Sequence, residues 1–187
     1  MELPTGGRLE AELTVPSAFR PAWAFPLRIR YENVGDSDLV APLLLLSNDD
    51  GAPMKSVCHD RWSTGTLQLL GTSTFGDVGV LPPGGSGEAL AFFQGTDGGA
   101  HEFVNFELRT MEPTDEIIDW ADFRDSMRPP DWTEGEWNTV FPTLTTQLGG
   151  TWAEYFGVLG ANARRLHQRG ASYQCVQDLL HLELLRA

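Results

Sequence analysis

Two short acidic stretches contain the residue types that bind calcium. Asp36-Ser37-Asp38 and Asn48-Asp49-Asp50-Gly51 supply carboxylate and amide oxygens, and calcium takes several oxygen ligands at once. If both stretches lie in loops at one end of a β-sandwich, they can hold an ion between them. Turn chemistry accounts for the same residues, because tight turns also select Asn, Asp and Gly. We predict turns, and calcium is the only cofactor for which the sequence suggests ligands: Asp36, Asp38, Asn48, Asp49 and Asp50.

A larger group of acidic residues lies between positions 112 and 136, where Arg124 and Arg128 are the only basic residues. Its members are Glu112, Asp115, Glu116, Asp119, Asp122, Asp125, Asp131, Glu134 and Glu136. This acidic group has three interpretations: a calcium site, the paired carboxylates of a hydrolase, or solvated helix faces. Hydrolase carboxylates stand roughly 5–10 Å apart, a separation that the sequence does not show. Solvated faces are favoured, because carboxylates stabilise helix N-termini and no DxDxDG calcium loop is present.

A catalytic nucleophile is suggested only by Cys58-His59-Asp60. Neighbouring side chains on a strand point to opposite faces, so adjacency in sequence does not make a nucleophile–base pair. The stretch 84–87, Gly-Gly-Ser-Gly, lacks the Lys of a phosphate-binding loop and precedes a predicted strand. The sequence therefore predicts a protein that is not an enzyme.

Cys58 and Cys175 are the only cysteines. They allow one disulfide, but they exclude a disulfide-dense secreted scaffold. Two reduced, half-buried cysteines are our prediction. A zinc site is not expected, because no second pair of ligands lies near Cys58 and His59.

Six tryptophans are present, and an exposed one can stack on a sugar ring or anchor a protein partner. Four of them fall at packing positions of predicted helices. Trp62 lies in the loop-like stretch CHDRWSTG and is the predicted ligand-binding residue, for a protein or glycan.

The composition excludes several classes of partner. A formal net charge of −13 on 187 residues opposes binding to nucleic acid or anionic lipid. No window approaches the roughly 20 apolar residues that a membrane span requires, so membrane insertion is not expected. The N-terminus MELPTGGRLEAEL lacks the pattern of a signal peptide. We expect either a cytosolic protein or a piece of a larger exported chain.

The first 110 residues have the period of β-strands. In AFPLRIRYEN, apolar residues alternate with charged ones, as in a strand buried on one side. Six or so such segments are separated by clusters of Gly, Pro, Asn, Asp and Ser, which is typical of a sandwich or barrel. Asn33 and Gly35 end the strand of residues 24–33 and predict a corner, because both tolerate positive φ and Asn can close a side-chain turn.

From about residue 113 the apolar period is that of helices. Predicted helices begin after Thr114, Thr133 and Thr151, the last two with a glutamate in capping-box position, and a fourth covers roughly 172–185. Ile117 and Met127 belong to the apolar face of the first. Pro142 should bend the second helix or confine it to its early turns.

With the strands placed, FPLRIRYENVGDSDLVAPLL and GVLPPGGSGEALAFF resemble the CARDB-like and DUF11-like immunoglobulin-type modules of large bacterial surface proteins. The shared features are the corner formed by Tyr31, Asn33 and Gly35 and the Leu-Pro-Pro-Gly-Gly turn of residues 81–85. The resemblance covers residues 9–110. It implies a non-catalytic module, export as part of a longer chain and an extracellular or cell-surface location, with neighbouring domains as partners.

The sequence predicts an α+β protein. An antiparallel Ig-like β-sandwich covers residues 1–111, and a C-terminal three- to four-helix segment of residues 112–187 docks on it. The predicted function is a non-catalytic structural or adhesive module. A carbohydrate-binding or calcium-dependent adhesion domain is the alternative, and a hydrolase domain using the acidic cluster is a second alternative.

Overall fold

The structure is a computed structural model that describes residues 6–58, 60–73, 79–95, 103–171 and 173–187. The described residues form three antiparallel sheets and four α-helices, with all four helices toward the C-terminus. The predicted α+β class is confirmed.

Nine strands lie among the described residues up to position 110. They are β1 (Leu9–Thr14), β2 (Ala24–Asn33), β3 (Leu39–Val40), β4 (Leu43–Asn48), β5 (Met54–Ser56), β6 (Leu67–Leu70), β7 (Val80–Leu81), β8 (Ser86–Gln94) and β9 (Phe106–Thr110). The first sheet has the order β1-β2-β8-β5, the second has the order β6-β4-β9, and β3 pairs with β7. The short strands β5 and β7 were not predicted, because two or three residues show no periodicity.

The first sheet and the β6-β4-β9 sheet share one core. Leu27, Ile29 and Phe93 of the first sheet belong to the same buried cluster as Leu44 and Leu46 of β4. The charged residues of β2 alternate with its buried ones, as predicted. The alternation therefore identifies which face of the first sheet is buried.

Strand β4 is buried on both faces, which explains its run of four leucines. Leu44 and Leu46 pack into the core between the sheets, whereas Leu43 and Leu45 belong to a second cluster with the helices. A strand covered by a sheet on one side and by helices on the other needs apolar residues at every position. The helical segment thus packs on the outer face of this sheet.

Four α-helices complete the described part of the chain: α1 (Arg124–Met127), α2 (Glu134–Leu148), α3 (Trp152–Gln168) and α4 (Val176–Leu184). The capping boxes at Thr133 and Thr151 are confirmed, with Glu136 and Glu154 as their third residues. Trp132 stacks edge-on against Trp137, with ring centroids 6.1 Å apart, as a hydrophobic staple at the start of α2.

The predicted helix from Thr114 to Met127 is wrong for its first half. Residues 114–118 pair instead with the first turn of α3: the Thr114 carbonyl accepts from the Ala153 amide at 2.8 Å, and the Ile118 amide donates to the Gly150 carbonyl at 2.9 Å. These bonds satisfy amides that a helix N-terminus leaves without partners. Helical structure starts at Trp120, and Ile117 is 80% exposed.

Pro142 does not confine α2 to its early turns. The helix continues to Leu148, and Trp137, Phe141 and Leu144 are buried on both sides of the proline. Proline in a helix interior costs about 3 kcal/mol, which the burial of this apolar face outweighs.

The prediction of two reduced cysteines is wrong. Cys58, after β5, forms a disulfide with Cys175, the residue before α4, with the two Cα atoms 6.2 Å apart. The pairing joins positions 117 residues apart in sequence, which is why periodicity and local spacing did not indicate it.

The corner after β2 is built on the Asn33 side chain, which is fully buried. Its Nδ2 donates to the carbonyls of Ser37 and Leu81 at 2.8 Å each, and its Oδ1 accepts from the Gly35 amide at 3.0 Å. The side-chain turn is confirmed. Positive φ is not the reason for Asn33 and Gly35, since neither adopts it. A Cβ on Gly35 would lie 2.0 Å from the Gly6 carbonyl oxygen, so close approach of two backbones requires this glycine.

Candidate ligand-binding cleft

An open cleft of about 660 Å³ separates one end of the β6-β4-β9 sheet from residues 116–125. Leu45 and Ser47 of β4 and Glu107 and Arg109 of β9 line its sheet side, because alternate residues of these strands face the helical layer. Residues 116–125 form the opposite wall. The first of them are extended and pair with the start of α3, and helical structure begins at Trp120.

The cleft is strongly acidic. Its carboxylate residues are Asp49, Glu107, Glu116, Asp119, Asp122 and Asp125, and Arg109 is the one basic residue among the described residues that line it. Asp119 already accepts from the Ala121 amide at 3.0 Å, and Asp125 pairs with Arg61 at 3.2 Å. Carboxylates concentrated in a concave surface attract cations and repel anions.

The predicted calcium ligands do not come together. Asn48 and Asp49 line the cleft, whereas Asp36 and Asp38 lie in the loop that leads to the other end of β4. Six residues of strand separate the two loops by roughly 17–20 Å at 3.3 Å per residue. Within the described part of the chain, no group of three or more Asp, Glu, His or Cys residues is arranged to hold one metal ion.

Turn chemistry accounts for the second predicted loop. The Asn48 side chain brackets the turn, with Nδ2 donating to the Ala52 carbonyl at 3.0 Å and Oδ1 accepting from the Ala52 amide at 2.8 Å. Gly51 adopts a φ of +66°. Asp50 accepts from the Asn105 amide at 2.7 Å, which ties this turn to the segment before β9.

Trp62, the predicted ligand-binding residue, is half-buried. The Lys55 ammonium lies 5.2 Å from the centroid of its ring, at the range of a cation–π contact. The Lys55 Nζ also lies 3.8 Å from the Asp60 carboxylate. One face of the indole is therefore occupied by a residue of the protein itself.

Trp23 is a surface aromatic that the sequence did not single out. It is 63% exposed and follows Ala22, which has a φ of +61°. The Gly95 carbonyl accepts from the Ala22 amide at 2.9 Å and holds this turn against the end of β8. No sequence signal separates such a tryptophan from a buried one, because the turn forms through contacts with a distant residue.

The cysteine–histidine–aspartate stretch cannot provide a thiolate nucleophile while Cys58 is in a disulfide. His59 lies outside the described residues. Of the described histidines, His167 and His181 lie on α3 and α4 and do not line the cleft. Of the glycine-rich stretch 84–87, Gly84 lies in the turn before β8 with a φ of +70°, and Ser86 and Gly87 are the first residues of β8.

Comparison with known proteins gives no assignment: no protein-family model matches the chain, and no curated protein matches it either. The resemblance to immunoglobulin-type surface modules therefore stays a prediction.

None of the described helices is both long enough and apolar enough to cross a membrane.

Proposed function

We propose that this chain is a non-catalytic structural module of a larger exported or cell-surface protein, an Ig-like β-sandwich with a helical layer fixed to its outer face. The observation that carries the proposal is the disulfide between Cys58 and Cys175. Disulfides persist in oxidising compartments and are rare where thiols are kept reduced.

The position of the disulfide supports a role in holding shape. Cys58 follows β5 of the first sheet, and Cys175 precedes α4, so the bond links the β-sheet layers to the last helix. Val176, Leu179 and Leu180 of α4 pack in the helical core. A covalent link between the sheets and α4 keeps the helix docked when neighbouring domains exert mechanical force on the module.

The packing supports the same role. The two buried clusters meet at β4, so the sheets and the helices are supported by one central strand. Such a body suits a rigid spacer or adhesive unit, with neighbouring domains of the longer chain as its direct partners.

Production in the bacterial periplasm tests the proposal. Protein directed to the bacterial periplasm should lack free thiols and weigh less than the reduced chain by two hydrogens. It should resist proteolysis better than the Cys58→Ser/Cys175→Ser variant. Val57→Ser is the matched control, because Val57 is 59% exposed beside the bond and should behave as wild type. Two alkylatable thiols in folded protein from the periplasm would refute the proposal.

Calcium-dependent adhesion is a second candidate, and the acidic cleft is the observation that favours it. Calorimetric titration with calcium should give heat for the wild type and none for Glu116→Gln/Asp122→Asn, which removes two carboxylates that line the cleft. Asp36→Asn/Asp38→Asn is the control, because these exposed residues lie at the other end of β4. Equal heats for both variants, or none for the wild type, would remove this candidate.

Carbohydrate binding makes a different prediction. A glycan array should then show spots that Trp23→Ala or Trp62→Ala abolishes, because sugar rings stack on aromatic faces. An array without specific spots would exclude it for the sugars tested.

A further inference from the structure

A small cavity with both polar and apolar walls lies where the sheets meet the helical layer. Its volume is about 20 Å³. Its polar lining residues are Ser56 of β5, Gln68 of β6, Ser126 of α1, Ser63 in the loop before β6, Arg61 and Gln177. Leu144 of α2 and Leu180 of α4 are among its apolar walls. Gln68 and the three serines are buried, with at most 6% of each residue exposed, whereas Arg61 and Gln177 are half-buried.

The side-chain amide of Gln68 has a hydrogen-bonded oxygen and a nitrogen whose hydrogens are available to donate. Its Oε1 accepts from the Tyr155 hydroxyl of α3 at 2.5 Å. Its Nε2 is buried and has no hydrogen-bond partner among the described residues of the protein. A buried amide donor without a partner is rare in native proteins, because its desolvation is not compensated.

The serines around the cavity supply complementary groups. The Ser126 hydroxyl donates its hydrogen to the Thr66 carbonyl at 2.6 Å, so its oxygen is left as an acceptor. The Ser63 oxygen accepts from the Gly65 amide at 3.0 Å, so its hydrogen is left to donate. Donors and an acceptor therefore line the same small space.

We propose that this cavity binds one structural water molecule, which accepts from the Gln68 amide. A cavity holds one water when the space open to the centre of a water-sized sphere is roughly 10–15 Å³ or more, and the 20 Å³ given above is a volume of this type. Buried waters make about three hydrogen bonds. The 20 Å³ space fits one water and no larger ligand. Through Gln68, the water connects β6 to Tyr155 of α3, so it belongs to the seam between the sheet and the helices.

A crystal structure at high resolution tests the proposal. We expect one compact, fully occupied density peak within hydrogen-bonding distance of the Gln68 Nε2. Empty density there would overturn the proposal. An anomalous peak after soaking in bromide would identify an anion instead and would overturn it as well.

Magnetic relaxation dispersion of water oxygen gives a second, solution measurement. Gln68→Leu should lose one long-lived water relative to the wild type, and Gln174→Leu, a control at an exposed position outside the cavity, should lose none. If Gln68→Leu does not fold, Ser63→Ala takes its place. An unchanged number of long-lived waters in the folded cavity variant would contradict the inference.

Discussion

Removal of the disulfide between Cys58 and Cys175 should destabilise the protein by several kcal/mol. The bond joins residues 117 positions apart, with their Cα atoms at a separation of 6.2 Å that suits a disulfide. Closing a loop of this length in the unfolded chain stabilises the native state by roughly 5 kcal/mol at 25 °C in the chain-entropy treatment. Measured losses are commonly smaller, so we expect about 3–5 kcal/mol for Cys58→Ser/Cys175→Ser.

Urea unfolding followed by tryptophan fluorescence is the assay, since the chain has six tryptophans. The midpoint should fall, and the dependence on urea should steepen, because an unfolded chain without the cross-link exposes more surface. For a domain of this size the loss corresponds to roughly 6–20 °C in Tm.

Reduced wild-type protein provides the internal control. It should unfold like the double variant, since both lack the same covalent link and differ only in sulfur against oxygen at two positions. A difference below about 1 kcal/mol between the oxidised wild type and the variant would refute the reasoning from loop closure.

Three further predictions concern the core, the corner and the tyrosines. Leu45→Ala should lower the free energy of unfolding by about 2–5 kcal/mol, because Leu45 is buried under the helices; chemical denaturation measures this. Gly35→Ala should destabilise the protein, because the added Cβ forces the Gly6 backbone away from the corner. Gly157→Ala is the control at an exposed helix position with open space, and it should stabilise the protein by about 0.5–1 kcal/mol. Equal changes in the free energy of unfolding for the two variants would contradict the close approach at Gly35. Burial raises the pKa of all three tyrosines above 10.0, and that of Tyr173 to about 12. The folded state then holds protons that the unfolded state releases, so stability should fall as the pH rises from 10 toward 12. Phenolate absorbance of the folded protein should therefore rise at a higher pH than that of the unfolded chain, and ionisation near pH 10 in the folded protein would contradict this.

The parts of the fold that sequence predicted are those set by local signals. Strand β2 has the predicted bounds of residues 24–33, and both capping boxes form, because alternation and N-cap chemistry act over a few residues. Residues 114–118 differ because their partner is the first turn of α3, more than 30 residues later. At residues 114–118, hydrogen bonding to a distant segment outweighs the local helix propensity, and sequence spacing does not reveal that pairing.

The sequence predicted the acidic residues of the candidate cleft as a group, but it did not predict which of them line one cleft or where the cleft lies. The acidic residues between Glu112 and Glu136 were recognised as a group, yet only Glu116, Asp119, Asp122 and Asp125 line the cleft. Asp49, in the turn after β4, and Glu107 of β9 join them, although the sequence separates these two residues by nearly 60 positions. The disulfide escaped prediction for the same reason, because it depends on which distant segments the fold brings together.

The two-sided burial of β4 has a consequence for any attempt to divide the protein. A fragment that ends after Thr110 would expose Leu43, Leu45 and Leu70 to water as one continuous apolar surface on a sheet. Such exposed apolar surfaces promote aggregation. The helices alone would lose the same support. Because each half depends on the other for burial, heat denaturation should show a single cooperative transition rather than one for each half.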